Sequence, residues 1–124
     1  MYKASPSTDD RWEAQLRKGA LEMAALASLT NGPLYGLEIL RFLEQHSRLV
    51  LAEGTIYPIL SRLKDDDLLR SEWVEADAGH PRKYYSLTKS GRLRLQHMAT
   101  TWIDFSRNLG RLLGPVLSNK ELKA

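Results

Sequence analysis

Apolar residues recur at helical spacing in four stretches of this chain, which predicts a mostly helical protein. The first stretch runs from Trp12 to Leu29 and is apolar most of the way round, so it should form a helix buried on more than one side. Asn31-Gly32-Pro33 should end this helix, because Asn or Gly can take the left-handed position after a helix and proline cannot continue one. A second, shorter helix is expected from about Tyr35 to Gln45.

The third stretch combines one apolar stripe with a polar opposite face. The stripe consists of Ile56, Ile59, Leu60 and Leu63, and the outward face consists of Thr55, Tyr57, Pro58, Ser61, Arg62 and Lys64. A short outward face with many hydrogen-bonding groups suits a helix that lies in a DNA major groove. Because Pro58 lacks an N–H, this helix should begin close to Gly54 or bend in its first turn. The order of helix, tight turn, helix, loop and helix is that of a helix-turn-helix.

Two short strands and a wide turn are predicted after the third helix. The strands are expected over Leu68–Val74 and Lys83–Leu87, and the Gly and Pro in the turn favour a wing over a tight hairpin. From Arg82 to Arg94 the chain has five cations and no acid. On its own such a run is usually a solvated face, but beside a helix-turn-helix it favours phosphate binding. Thr88 should cap the last helix.

The last helix has an apolar heptad stripe, with spacings that alternate between three and four residues. The stripe consists of Leu95, Met98, Trp102, Phe105, Leu109, Leu112 and Val116. Such a stripe requires another helix to cover it. We expect a second copy of the chain to do so, with Leu16 and Ala20 of the first helix as part of the same dimer interface. The alternative is that the first helix of the same chain covers the stripe, so that the first and last helices form an intramolecular hairpin.

Length and composition narrow the possible classes of function. A chain of 124 residues with a net charge of +3 fits one mildly basic domain. The absence of cysteine excludes disulfides, thiolate metal sites and cysteine nucleophiles. No apolar run is long enough to span a bilayer, so a cytoplasmic location is expected. We expect four segments, namely a flexible stretch at 1–11, a winged helix-turn-helix domain at 12–88, a dimerisation helix at 89–117 and a tail at 118–124.

Catalytic and metal sites are not indicated. His46, His80 and His97 are scattered in the sequence, with no nucleophile or metal ligand near any of them. Asp65-Asp66-Asp67 could suggest a metal site, but neither a histidine nor a further carboxylate cluster adjoins these residues to complete an oxygen cage. We therefore expect neither an enzyme nor a bound metal or cofactor.

Four motifs in order resemble the PadR family of bacterial transcriptional regulators, in its short form with a single C-terminal helix. They are Leu16-Arg17-Lys18-Gly19, Gly32-Pro33-Leu34-Tyr35-Gly36, the run from Glu53 to Leu63, and the run from Arg82 to Gly91. The resemblance implies a homodimeric winged-helix repressor that a small molecule often releases from its operator. The positions it marks as DNA contacts are Thr55, Tyr57, Pro58, Ser61 and Arg62 in the third helix, Tyr35 and Gly36 at the start of the second, and Arg82 and Lys83 in the wing. Lys64 adds a further cation beside them.

Two residues depart from the family pattern. Asp67 stands where the family usually has glycine, so the end of the third helix should be strained, although Asp tolerates left-handed geometry better than most residues. Ala52 stands where a capping Ser or Asn is common. The backbone N–H groups at the start of the third helix therefore lack a side-chain acceptor, which costs roughly 1 kcal/mol of stability. Neither residue is one of the proposed DNA contacts.

The sequence therefore predicts a DNA-binding regulator that forms a homodimer on a two-fold operator. A small aromatic or hydrophobic effector is expected near Trp102, Met98 and Phe105, because apolar pockets bordered by aromatic rings commonly bind small molecules. The alternative is a winged helix used only for protein–protein contact, since fold does not fix function. Cations beside Ser, Thr and Tyr favour DNA, because a protein-binding surface would more often present apolar anchors there.

Overall fold

A computed structural model of the chain describes residues 6–75 and 79–118, with side chains from residue 11 onward. The elements are α1 (Pro6–Ser28), β1 (Leu34–Tyr35), α2 (Gly36–Ser47), α3 (Glu53–Asp65), β2 (Leu69–Val74), β3 (Arg82–Leu87) and α4 (Lys89–Ser118). The strands form one antiparallel sheet in the order β1-β3-β2. This arrangement confirms the predicted fold class of a winged helix-turn-helix followed by a long C-terminal helix.

The boundaries of several elements differ from those predicted. The first helix begins at Pro6, so residues 6–11 of the segment expected to be flexible are helical, while residues 1–5 lie outside the described part. Tyr35 belongs to a strand, and α2 starts after it and ends at Ser47. The two-residue strand β1 is too short to show an alternating pattern, so the sequence did not reveal it. The predicted tail begins at Ser118, the last residue of α4, and 119–124 lie outside the described residues.

A single apolar core joins α1, α2, α3 and the sheet. Its fully buried large side chains are Leu26, Leu29, Ile39, Ile56, Leu60, Leu63 and Leu69. All four residues of the predicted stripe on α3 are buried, which fixes the face that this helix turns outward. Burial of that stripe is what orients the polar residues of α3 away from the core.

The end of α3 has the strained geometry that Asp67 predicts. Asp67 adopts a left-handed conformation with φ of 63°. Its N–H donates to the Lys64 carbonyl at 2.9 Å, and the Leu68 N–H donates to the Leu63 carbonyl at 2.9 Å. These two hydrogen bonds form a Schellman motif, which turns the chain directly into β2. At the other end of α3, Ala52 precedes Glu53 and provides no side-chain cap.

The start of α4 is anchored to that same turn. The Thr88 hydroxyl accepts a hydrogen bond from the Gly91 N–H at 2.9 Å and donates one to the Asp67 carbonyl at 2.6 Å, so the predicted cap is present. Gly91 is buried, and a Cβ at this position would overlap the Leu68 carbonyl oxygen. The absence of a side chain at Gly91 therefore lets α4 approach the backbone of Leu68, the residue that precedes β2.

The heptad stripe of α4 divides into a covered and an uncovered part. Leu95 and Met98 pack against the core of the same chain, so within one chain these two positions are already partly buried. From Trp102 to Val116 every stripe residue is exposed. On α1, Leu16 is also exposed and Ala20 is half-buried. One chain therefore covers only the first two positions of the stripe.

Candidate nucleic-acid interface

The outward face of α3 has two flanks, which the sequence pattern did not separate. At about 100° per residue, Tyr57 and Lys64 lie on one flank of the buried stripe. Thr55, Pro58 and Arg62 lie on the other flank and line a cleft between α1, α3 and α4. Ser61 is exposed between the two flanks. The α3 residues predicted as DNA contacts are thus all on its surface, but they face two different surroundings.

Tyr57 packs on the start of α2. Gly36 is buried, and a Cβ built on it would come within 2.5 Å of the Tyr57 hydroxyl oxygen. The Tyr57 ring therefore lies directly over Gly36 and remains 40% exposed. Gly36 was predicted from the sequence as a DNA contact. In the structure Tyr57 covers it, and the absence of a side chain at Gly36 leaves room for the Tyr57 ring.

Arg82 of the wing lies over the ring of Tyr35, the residue that precedes α2. Its guanidinium carbon lies 4.6 Å from the centre of the Tyr35 ring, a cation–π distance. The Tyr84 ring meets Tyr35 edge to face, with centroids 5.5 Å apart. The backbone N–H of Tyr35 donates to a carboxylate oxygen of Glu38 at 3.1 Å, which satisfies one free donor at this helix start. These contacts bring Tyr35 and Arg82 together on one surface.

Lys83 lies on the opposite face of the wing, between two other rings. Its ammonium nitrogen is 5.7 Å from the centre of the Trp73 ring and 5.9 Å from that of Tyr85. Burial raises the pKa of the Tyr85 hydroxyl above 10.0, and the neighbouring Tyr57 raises it further. Among the residues that the structure describes, neither Lys83 nor Arg82 forms an ion pair with a carboxylate. Both cations are therefore available to an anionic partner.

Arg62 is paired with an acid of α1. Its Nε donates to Oε2 of Glu22 at 2.9 Å, and its Nη2 lies 2.8 Å from the same oxygen. Both side chains are partly exposed, so the pair contributes little to stability. Its main consequence is electrostatic, because Glu22 neutralises a cation on α3. The sequence analysis missed Glu22, since its link to Arg62 spans 40 residues and depends on the packing of α1 on α3.

The cleft beside Arg62 has a volume of about 910 Å³ and mixed walls. Met98, Trp102 and Phe105 of α4 provide the apolar side, so all three predicted effector residues line this one cleft. Arg17 and Lys18 of α1 add positive charge at its border. The cleft therefore connects the exposed part of the α4 stripe with the outward face of α3.

The three histidines lie on different parts of the fold, with His46 in α2, His80 in the turn of the wing and His97 in α4. His46 stacks on Phe42 with ring centroids 4.2 Å apart, and His80 and His97 are exposed. Within residues 6–75 and 79–118, no cluster of three or more His, Asp or Glu side chains is arranged to hold a metal ion. None of the helices in the described part of the chain is long and apolar enough to cross a membrane.

Comparison with known proteins identifies the family. The profile of the Transcriptional regulator PadR-like family matches residues 25–97, which include α2, α3, the wing and the start of α4. The chain belongs to this PadR-like family. Its members are transcriptional regulators and not enzymes.

Solved PadR structures share the fold along most of the chain. A PadR-like transcription factor from Bacteroides fragilis is 40% identical, with a TM-score of 0.69 over 82% of this chain and 98% of that one. A PadR family regulator from Eggerthella lenta is 32% identical, with a TM-score of 0.76 over 88% of this chain and 97% of that one. PadR of Bacillus subtilis, solved in complex with operator DNA, is 27% identical, with a TM-score of 0.60 over 64% of this chain and 47% of that one.

Proposed function

We propose that this PadR-family regulator is a homodimeric repressor that binds a two-fold DNA operator and is released from it by a small apolar or aromatic effector. The observation that carries the proposal is the outward face of α3, where Tyr57, Ser61 and Lys64 lie exposed, together with the wing cations Arg82 and Lys83, which have no carboxylate partner among the described residues. The Bacillus subtilis relative, which binds operator DNA, supports DNA as the partner.

On this surface we assign two kinds of DNA contact. Tyr57, Ser61 and Lys64 would face base edges in the major groove, where hydroxyl and ammonium groups read sequence. Arg82 and Lys83 would contact phosphates, and Tyr35 would support Arg82 through its ring. Thr55, Pro58 and Arg62 lie on the flank toward the cleft, so they would contact the edge of the groove closest to α1.

A homodimer is supported by the exposed part of the α4 stripe. Trp102, Phe105, Leu109, Leu112 and Val116 form an apolar row that one chain leaves exposed. Pairing this row with the same row and with Leu16 of a second chain would bury it, and a two-fold pair would place two recognition helices on successive major grooves roughly 34 Å apart.

The cleft supports an effector site at the border of this interface. Met98, Trp102 and Phe105 provide an apolar wall, and Thr55, Pro58 and Arg62 of α3 line the same space. A ligand bound there would contact the recognition helix directly. It would release DNA if it bound better to a state in which the two recognition helices no longer match the half-site spacing.

The test of the DNA assignment uses the wing cations. Replacing both Arg82 and Lys83 with Ala should weaken binding to operator and random duplex alike, and should flatten the log–log salt dependence by about one to two units. Substitutions at Tyr57 or Ser61 should instead change preference among operator sequences. A wing variant that loses sequence preference with an unchanged salt slope, measured by anisotropy of a labelled duplex, would contradict the assignment.

The alternative of a winged helix that binds only proteins predicts a different result in the same titration. A protein-binding surface has no reason to bind random duplex DNA with a steep salt dependence. Cations beside hydroxyl groups favour DNA binding, because the cores of protein–protein interfaces are depleted of Lys.

The effector assignment is tested by fluorescence. With Trp12 and Trp73 changed to Phe, Trp102 is the sole reporter, and planar aromatic compounds should quench it and weaken DNA binding together. An absence of quenching across a diverse aromatic library would leave Trp102 as a packing residue.

A further inference from the structure

Strand β2 lies at an edge of the sheet, because the strand order is β1-β3-β2. One side of β2 pairs with β3 from Leu69 to Val74, and no strand in the described part of the chain pairs with its other side. The side chains of Arg70, Glu72, Trp73 and Val74 are all exposed. The backbone N–H and C=O groups along the outer side of β2 can therefore receive a further strand.

The charges along β2 favour one kind of partner strand. Arg70 and Glu72 lie two residues apart, so their side chains share one face of the sheet, opposite to the face of Trp73. Neither forms an ion pair with a residue that the structure describes. Charges on an edge strand often prevent pairing with another strand. Here the two charges have opposite signs, so they would attract a strand that carries the same charges in reverse order.

A second copy of β2 has this reverse order when the two strands run antiparallel. With a two-fold axis at Ser71, Arg70 of each copy lies directly across from Glu72 of the other copy. On the opposite face, Trp73, which is 66% exposed in one chain, lies across from the apolar Leu69 of the other copy. Moving the axis to Arg70 or to Glu72 would place like charges opposite each other, which disfavours those registers.

We propose that β2 pairs with β2 of a second copy of this chain about a two-fold axis at Ser71, so that the two sheets join into one continuous sheet. Addition of a strand to an exposed sheet edge is a common mode of association. The contact uses a surface separate from the α4 row, so it can join two of the proposed dimers and does not rest on the proposed function. Because one strand pair buries little surface, the contact is weak in free solution and operates where two dimers are held close together.

The chain contains no cysteine, so one introduced cysteine can report this contact. Ser71→Cys places a thiol at the two-fold axis, where facing Cα atoms lie about 4.5–5.5 Å apart, within the range that a disulfide spans. Mild oxidation of the full-length variant should link its copies, as seen by electrophoresis without reductant. Ser86→Cys is the matched control, because Ser86 is also half-buried but belongs to the central strand β3. Equal linking of the two variants would reflect random collision and overturn the inference.

Charge reversal tests the register of the pairing. When added to Ser71→Cys, either Arg70→Glu or Glu72→Arg places like charges across both pairs, so linking should fall about tenfold. Combining the two changes in one chain restores both opposite-charge pairs and should restore linking. A mixture of the two singly reversed proteins should also link, because each supplies the charge that the other lacks. This recovery excludes misfolding as the cause of the loss. Linking that neither reversal reduces, or that neither combination restores, would overturn the inference.

The outcome is separable from that of the proposed function, because the linking experiment contains no DNA. Specific linking by a protein that binds no duplex would support the β2 contact and contradict the DNA assignment. Duplex binding without specific linking at Ser71→Cys would support the DNA assignment and overturn the β2 contact.

Discussion

Two residues outside α3 affect the position or the charge of side chains on its outward face. Gly36 lies beneath the Tyr57 ring, and Glu22 holds the guanidinium of Arg62. In both cases a residue that need not touch DNA itself sets the position or the effective charge of a residue on α3. The two contacts differ in kind, because the first is steric and the second is electrostatic.

Gly36→Ala should alter DNA binding through Tyr57. The new Cβ would overlap three atoms of the ring, so Tyr57, which is a partly exposed side chain, would have to swing away. We expect the free energy of unfolding to change by less than about 1 kcal/mol, because Ala favours a helix over Gly, while preference among operators is lost. The double-mutant cycle is the control. In a Tyr57→Ala background, Gly36→Ala should have no further effect on operator preference, and an additive effect would show that Gly36 acts independently of Tyr57.

Glu22→Gln should strengthen DNA binding. Removing this carboxylate frees the charge of Arg62, so the salt dependence of duplex binding should steepen by up to about one unit. Stability should fall by no more than about 1 kcal/mol, since the pair is partly exposed. Glu13→Gln is the matched control, because it removes the same charge from α1 next to Arg17. Equal effects of the two variants on the salt slope would mean that Glu22 acts through net charge alone.

At the scale of elements, the junction between α3, the sheet and α4 depends on a few hydrogen bonds. Asp67 reverses the chain after α3, and its carbonyl accepts from the hydroxyl of Thr88, which caps α4. This junction fixes the direction in which α4 leaves the winged-helix domain. Any loss at the cap should therefore reduce stability without changing the recognition surface.

Thr88→Ala should lower the free energy of unfolding by about 1 kcal/mol, the usual value of a lost N-cap. Thr100→Ala is the control, because the Thr100 hydroxyl donates only to the Gln96 carbonyl one turn earlier in the same helix. Replacing it should change stability by less than about 0.5 kcal/mol, as expected for an exposed helix position. Chemical unfolding would measure both. A similar loss from the two variants would show that the cap at Thr88 has no special role.

The elements with long periodic patterns were predictable from the sequence, and those built by packing were not. The stripe on α3 and the cap at Thr88 have local patterns, so both could be read directly. Strand β1 exists only because Leu34 and Tyr35 pair with β3, and the Glu22–Arg62 pair exists only because α1 packs on α3. Contacts between distant residues leave no periodic trace in a single sequence. The division of the α3 surface into two flanks belongs to this second group.

In the whole molecule, two exposed surfaces stand out, namely the apolar row on α4 and the outward face of α3 with the wing. We propose that the exposed row on α4 from Trp102 to Val116 pairs with a second chain and that the α3–wing surface binds DNA. Dimer formation and DNA binding would be linked, because a two-fold dimer determines the spacing of its two α3 helices. The cleft lies between these surfaces, since it is lined by both α4 and α3.

The most direct measurement is selection of bound sequences from a random duplex library. A homodimeric regulator should enrich two half-sites related by a two-fold axis, with centres about one helical turn apart. The control variant, Phe105→Glu with Leu109→Glu, places charge in the exposed α4 row, so it should sediment as a monomer and no longer enrich paired half-sites. Enrichment of a single unpaired site by the unmodified protein, or of no sequence at all, would contradict the claim that this chain is a homodimeric operator-binding regulator.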